Sequence, residues 1–106
     1  MLEEFGLARD DASFEPRSAT RKRNQFVEAM LETAHKTPEI SGVCMWAWAG
    51  EGRPARDVGG LWQKGDDVVG DPPFEQQGWY SVYNTDHDTL SVLRRYAMAL
   101  ATPITR

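Results

Sequence analysis

The most regular apolar pattern in the chain lies in residues 42–50, which read GVCMWAWAG. With the two-residue period of a strand, Cys44, Trp46 and Trp48 share one face, and the other face is apolar as well. A strand that is apolar on both faces is typical of a parallel sheet covered by helices, so we predict a buried strand over residues 42–48. The paired tryptophans are typical either of a packed core or of a platform on which a flat sugar ring stacks. The pattern leaves both open.

Residues 19–36 and 88–101 each carry the apolar stripe of an amphipathic helix. The stripes consist of Phe26, Val27, Met30, Leu31 and Ala34 in the first helix and of Leu90, Leu93, Ala97 and Leu100 in the second. Ser18 or Thr20 is the predicted cap of the first helix, and Asp88 is the predicted cap of the second.

A short strand is predicted at the start of the sequence, over residues 1–5. Leu2 and Glu4 point to one side of this strand, and Phe5 points to the other. The order is therefore strand, helix, strand, long loop, helix. This β-α-β-α unit is the building block of parallel sheets and barrels, and its strands need neighbours on both sides.

The long loop runs from Gly50 to Thr85 and contains most of the nine glycines. Its aromatic residues, among them Trp62 and Trp79, are not typical of a disordered linker. Residues 79–83 are the one stretch that reads as a short extended piece. A loop of this length in a compact domain is typical of a functional segment.

Composition narrows the partners. The chain has 106 residues and a net charge of -4, without a basic patch dense enough for nucleic acid. The one basic cluster, residues 21–23, is predicted to be a solvated face. A single cysteine excludes an internal disulfide and a thiolate metal site, and we expect Cys44 to be a small buried hydrophobe. No membrane span or signal peptide is expected, no cofactor is indicated, and the compartment stays open.

Five segments together carry a family resemblance. They are Leu2-Glu3-Glu4-Phe5-Gly6, residues 42–52, Gly70-Asp71-Pro72-Pro73, Gln77-Gly78-Trp79-Tyr80-Ser81-Val82-Tyr83 and residues 86–89. In this order they resemble the C-terminal part of endo-β-1,4-mannanases of glycoside hydrolase family 5, which are (β/α)8 barrels. The resemblance covers nearly the whole chain. It implies an α/β fold, the last quarter of a TIM barrel, with strand 7, helix 7, strand 8, the long loop and helix 8. Residues 1–106 would be one partial catalytic domain.

The resemblance also implies site residues. Glu4, directly before an aromatic residue and glycine, matches the catalytic nucleophile of the family, whereas Glu3 does not stand in that position. Trp46 matches the tryptophan that forms the floor of the -1 sugar subsite. Trp48, on the same strand face as Trp46 but further out, is a weaker candidate for sugar contact. Trp62 and Trp79 are candidates to line the cleft, and loop packing explains them equally well.

The second catalytic carboxyl group is missing from the sequence. A retaining glycosidase needs two carboxyl groups about 5–5.5 Å apart. In the family the acid/base follows strand 4 in an Asn-Glu pair, and no such pair occurs here. If the chain nevertheless showed turnover, Glu51 or Glu75 of the long loop would have to supply the acid.

We therefore expect a segment of a retaining enzyme that cleaves β-1,4-mannosidic bonds, inactive as an isolated chain. Its expected partners are a β-mannan-type polysaccharide and a complementing chain that carries the rest of the barrel. A binding module that holds mannan without cleaving it and an inactive structural remnant are the alternatives.

Overall fold

The structure is a computed structural model that describes residues 1–56 and 59–102. Two residues of the predicted long loop and the last four of the predicted domain lie outside these ranges. The described elements are β1 (Leu2–Phe5), α1 (Arg21–Lys36), β2 (Val43–Met45), β3 (Trp48–Gly50), β4 (Val82–Tyr83) and α2 (His87–Ala101), with a short 3-10 turn at Asp10–Ala12. Neither helix is long and apolar enough to cross a bilayer within the described part of the chain.

β1 and β2 pair in parallel, as predicted, with α1 as the connection between them. Leu2 lies opposite Val43, and Phe5 lies opposite Met45. The backbone N–H of Leu2 donates to the carbonyl of Gly42 at 2.9 Å. Parallel strands joined by a helix on one face are the basic unit of α/β folds.

The apolar core lies between this strand pair and the two helices. Phe5, Val27 and Leu31 are its buried centre. Partly buried side chains surround it, namely Leu2, Phe26, Met30, Val43, Met45, Val92, Leu93 and Tyr96. Phe26, Val27, Met30 and Leu31 of the first predicted stripe therefore belong to this core, and Leu93 of the second stripe does so too. Ala97 and Leu100 of the second stripe are exposed, and Val92 and Tyr96 pack on the core instead. Leu2, predicted to point away from Phe5, packs on the same core, because the register of β1 slips between Glu3 and Phe5.

The predicted strand over residues 42–48 is not continuous. It ends at Met45 and resumes at Trp48, and the intervening Trp46–Ala47 peptide bond is cis. β3 then pairs in parallel with β4, inside the stretch predicted as extended, rather than with β1. The expectation of a buried Cys44 is also wrong: the residue is exposed, because it lies on the sheet face away from the helices.

The helix caps differ from the predictions. α1 begins at Arg21, yet neither Ser18 nor Thr20 caps it with a side chain. Instead the carboxylate of Asp10 accepts hydrogen bonds from the backbone N–H groups of Arg21 at 3.1 Å and Lys22 at 2.9 Å. The free N–H groups of a helix start are thus satisfied from a distant turn.

α2 begins at His87, so Asp88 lies inside its first turn, exposed, and is not the cap. The residue at the cap position is Asp86, which makes no capping bond to α2 with its side chain. That carboxylate instead accepts hydrogen bonds from Arg9 Nη2 at 2.6 and 2.7 Å and from Arg23 Nη2 at 2.9 Å. Arg23 is 1% exposed, so the basic cluster is not uniformly a solvated face.

Candidate active site

An open cleft of about 370 Å³ lies where β1 and β2 end. Its lining residues are Glu4, Gly6, Trp46, Pro72, Glu75 and Tyr80. One wall comes from the strand ends and the other from the long loop. The cleft therefore brings together Glu4 of β1 and Trp46, the residue after β2, which the family resemblance assigned to one site.

Backbone contacts hold the two strand ends together. The N–H of Trp46 donates to the carbonyl of Phe5 at 2.9 Å. A Cβ atom on Gly6 would overlap the carbonyl oxygen of Trp46, so a residue without a side chain is required there. The cleft floor is thus fixed by main-chain atoms on both strands.

Glu4 occupies a β-bulge. The register between β1 and β2 slips between Glu3 and Phe5, and Glu4 has a φ of 55°. A positive φ is uncommon for a residue other than glycine, and bulges are frequent next to active sites because they redirect a side chain. Glu4 lines the cleft, whereas Glu3 is not among the lining residues. The Glu4 carboxylate makes no hydrogen bond to the described residues, which leaves it free to meet a ligand.

The loop wall is held by two buried polar side chains. Asp71 Oδ2 accepts hydrogen bonds from the N–H of Gly78 and from Ser81 Oγ, both at 2.8 Å, and Oδ1 accepts one from the N–H of Tyr80 at 3.2 Å. Gln77 Nε2, with two N–H groups, lies within hydrogen-bonding distance of three carbonyl oxygens, those of Asp71 at 3.2 Å, Pro72 at 2.8 Å and Glu75 at 3.2 Å. Both residues are buried.

The four candidate tryptophans have different surroundings. Trp46 is half-buried in the cleft wall. Trp79 stacks edge-to-face on Phe14 with 5.1 Å between ring centroids, and it lines a neighbouring depression that shares Glu75 and Tyr80 with the cleft.

Trp48 and Trp62 are not brought into the cleft. Trp48 is 58% exposed on β3, beyond the interruption of the strand. Trp62 donates its indole N–H to the carbonyl of Asp66 at 3.1 Å, so a local turn takes up its polar group.

The loop-side residues of the cleft were missed as a group. Sequence reasoning named Glu75 only as a substitute acid, and it gave Pro72 and Tyr80 no role. The signal was present, because both lie inside motifs that carried the resemblance. Nothing in a pattern of one chain shows which loop residues fold back over a strand end.

A buried charge cluster fixes the loop behind the cleft. Asp86 also accepts a hydrogen bond from the N–H of Tyr83 at 2.8 Å, and Arg23 Nη1 donates to the carbonyl of Ser81 at 2.9 Å. Burial lowers the pKa of Arg23 from its ordinary value, and the nearby carboxylate of Asp86 opposes that shift. The guanidinium groups of Arg9 and Arg53 lie 5.1 and 4.6 Å from the centre of the Tyr83 ring.

A second surface depression and a metal site were the other candidates for a functional site, and neither is supported. A larger surface depression of about 670 Å³ lies at the start of both helices, and its lining contains no Trp, Tyr or Phe on which a sugar could stack. Within the described ranges, His, Cys, Asp and Glu residues form no group of three that could hold a metal ion.

Comparison with known proteins places the chain in a family context. Residues 1–105 match the model described as "GH family 5 beta-mannosidase-like". The glycoside hydrolase family 5 mannosidase of Rhizomucor miehei is similar in structure, with a TM-score of 0.78 and 29% sequence identity. A mutant of that enzyme in complex with mannosyl-fructose matches with a TM-score of 0.77 and 29% identity, and a second mutant matches with a TM-score of 0.74 and 27% identity. Each match covers 94% of this chain but only 26% of the relative. No curated protein matches the sequence.

Proposed function

Because this chain belongs to the glycoside hydrolase family 5 β-mannosidase-like family, we propose that it supplies the nucleophile half of a retaining β-mannoside-cleaving site. In this proposal β1 and β2 are the seventh and eighth strands of a (β/α)8 barrel, and the substrate is a β-1,4-linked mannan. Glu4 is the nucleophile, and Trp46 is the floor on which the sugar stacks.

The observation that carries the proposal is the shared cleft of Glu4 and Trp46. A nucleophilic carboxylate must reach the anomeric carbon while the sugar ring is held in place. An indole beside that carboxylate offers a flat apolar surface to the ring. The strand-end position of both residues agrees with the place where barrel enzymes build their active sites.

The relatives support a mannose-containing substrate. They are named mannosidases, and one was solved with mannosyl-fructose. The endo-acting specificity is the finer part of our proposal: it follows from the resemblance of the motifs to endo-β-1,4-mannanases and requires that the complete site be a cleft open at both ends. A closed pocket would favour removal of a terminal sugar.

Glu4 alone does not complete the chemistry. The retaining mechanism requires a second carboxyl group that protonates the leaving oxygen and later activates water. General acid–base help contributes typically about 10²–10⁴-fold to the rate. Without the Asn-Glu segment, we propose that the isolated chain binds mannan weakly and does not hydrolyse it, and that a complementing chain supplies the acid.

Hydrolysis of soluble galactomannan tests the catalytic half of the proposal. The chain is assayed alone and with a second polypeptide that carries the first six β/α units of a family 5 enzyme. We expect turnover only in the mixture, and its loss in Glu4→Gln. Glu3→Gln is the matched control and is expected to retain turnover.

Three outcomes separate the alternatives. Turnover by the chain alone that Glu4→Gln abolishes would contradict the half-site proposal and make Glu75 the candidate acid. Binding of mannotriose without turnover in any mixture would favour a binding module. Absence of both would indicate an inactive remnant.

For mannotriose binding, Trp46→Ala is compared with Trp62→Ala. Only the substitution at Trp46 is expected to weaken binding.

A further inference from the structure

We infer that Asp71 is a positioning residue that holds the loop wall of the cleft in place to meet a bound sugar. The inference rests on the proposed function of the cleft. Asp71 itself does not line the cleft and is 6% exposed. It acts through Pro72, Glu75 and Tyr80, which do line it.

The carboxylate of Asp71 is bound on both sides. The backbone N–H groups of Gly78 and Tyr80 bind one oxygen each, so both oxygen atoms are engaged by the far end of the same loop segment. The Ser81 hydroxyl, whose one proton is shared between Asp71 Oδ2 at 2.8 Å and the carbonyl of Val69 at 2.6 Å, adds a third contact. Hydrogen bonds to an ionised acceptor are about twice as strong as neutral ones. A single buried side chain thus closes residues 71–81 into one turn.

The side chain of Gln77 fills the interior of that turn. The amide of Gln77 donates to carbonyl groups at the start and middle of the segment, including that of Glu75. The backbone of Glu75 is therefore fixed from inside, which limits where its carboxylate points. Buried polar groups that are all paired give a segment one defined conformation.

The turn of residues 71–81 is attached to the backbone that follows β2. The N–H of Val82 donates to the carbonyl of Ala47 at 2.8 Å, directly after Trp46. Gly70 has a φ of +87°, and a Cβ there would lie 2.9 Å from the Cβ of Ala47. The turn is thus packed against the backbone that carries the proposed sugar platform.

The consequence is a preformed second wall. Glu75 and Tyr80 line the same cleft as Trp46, and a carboxylate and a phenol are groups that can hydrogen-bond to the hydroxyl groups of a mannosyl unit stacked on the indole. A wall that is ordered before binding avoids the entropic cost of ordering a long loop at that moment. Asp71 would set affinity without touching the sugar.

The test compares Asp71→Asn with Asp66→Asn, an acid in the same loop that pairs with Arg56 and does not line the cleft. Asn keeps the shape of Asp but loses its charge and turns an N–H₂ group towards one of the donors. Mannotriose binding to the full chain is measured by calorimetry. We expect binding about tenfold weaker in Asp71→Asn and unchanged in Asp66→Asn.

A double-mutant cycle separates positioning from general stability. Glu75→Gln is expected to weaken binding in the wild-type background and to have little further effect in Asp71→Asn, because the misplaced wall no longer offers that contact. Equal effects of Glu75→Gln in both backgrounds would overturn the inference. Unchanged affinity in folded Asp71→Asn would overturn it as well.

Two further measurements cover the remaining outcomes. If Asp71→Asn does not fold, Ser81→Ala removes one donor, and a several-fold loss of affinity is expected. Unchanged affinity in folded Ser81→Ala would then count against the inference. If the wild type does not bind mannotriose, the proposed function fails, and amide exchange decides about the turn. Faster exchange at Gly78 and Tyr80 in Asp71→Asn, with Leu31 unaffected, would support the positioning role, and equal exchange would refute it.

Discussion

The two halves of this chain are held together by different forces. In the helix-packed half, formed by β1, α1, β2 and α2, the buried centre is Phe5, Val27 and Leu31. In the loop-built half, formed by β3 and the described residues 51–56 and 59–86, the buried Val69, Val82 and Tyr83 are joined by four buried polar side chains, namely Asp71, Gln77, Ser81 and Asp86. Arg9 and Arg23 hydrogen-bond to the last of these.

The difference separates what supports the fold from what shapes the cleft. Hydrophobic burial is non-directional, so the apolar half accepts changes in shape at a graded cost. Hydrogen-bonded charge clusters depend on direction, and a network that loses one member leaves the others unpaired at low dielectric. The wall of the proposed site is therefore expected to be more sensitive to single substitutions than the helical core.

The largest expected effect is at Asp86. Asp86→Ala would leave the guanidinium groups of Arg9 and Arg23 buried without their carboxylate. Removing one partner of a buried ion pair costs about 3–5 kcal/mol of unfolding free energy, which approaches the whole stability of a small domain. In urea titrations followed by circular dichroism, we expect the folding transition of this variant to be lost or strongly shifted.

Asp88→Ala is the matched control for this change, because Asp88 is an exposed acid only two residues further along the chain, in the first turn of α2. Its urea midpoint should stay close to that of the wild type. A similar midpoint for both variants would show that the charge cluster does not hold the loop-built half.

The apolar half is tested at Leu31, which is 3% exposed. Leu31→Ala removes buried methyl groups and leaves a cavity, for which about 2–5 kcal/mol of destabilisation is typical. The lower part of this range is expected, because the partly buried neighbours around it can relax into the space. Met98→Ala, at a residue that is 75% exposed, is expected to change stability by less than about 0.5 kcal/mol. A loss at Leu31 larger than that at Asp86 would reverse the comparison.

The sequence predicted the elements of the helix-packed half well for a physical reason. Helical and strand periodicity report directly on which side chains face a core, so both helices, the pairing of β1 with β2 and the inward position of Phe5 followed from pattern. The prediction of a continuous second strand was wrong, because a local break after Met45 leaves no trace in the alternation of side chains along the sequence.

The structure of the loop-built half was predictable only in part. The partners Arg9 and Asp86 are 77 positions apart, and Arg23 and Asp86 are 63 apart. No local pattern links such residues, and Arg23 stands inside a basic run that is typical of a solvated face. The motifs around Asp71 and Tyr80 indicated that the loop matters, but only the fold shows that it closes over the cleft.

A smaller effect is expected at the start of α1, where the two halves meet. Asp10→Ala removes the carboxylate that accepts hydrogen bonds from the N–H groups of Arg21 and Lys22. Loss of a helix cap costs typically about 1 kcal/mol. Ser18→Ala, at the position that pattern favoured as a cap, should be close to neutral. A larger loss at Ser18 than at Asp10 in urea denaturation would contradict the capping seen here.

The smallest effect at neutral pH is expected at Tyr83, in the interior of the loop-built half. Its ring is fully buried, and its hydroxyl has no hydrogen-bond partner among the described residues. Burial raises the pKa of Tyr83 above its ordinary value. The folded chain therefore favours the neutral phenol, and this contribution to stability is fully present below about pH 10, the unfolded pKa, and is lost as the pH rises towards the folded one. The unfolding free energy of Tyr83→Phe should match that of the wild type within about 0.5 kcal/mol at pH 7. Above about pH 10 the variant should become the more stable of the two, because the lysines and the other tyrosines titrate alike in both proteins and only the wild type loses the contribution of Tyr83. Urea midpoints measured across this range check the expectation, and parallel pH profiles would show that the phenol is not shielded from solvent.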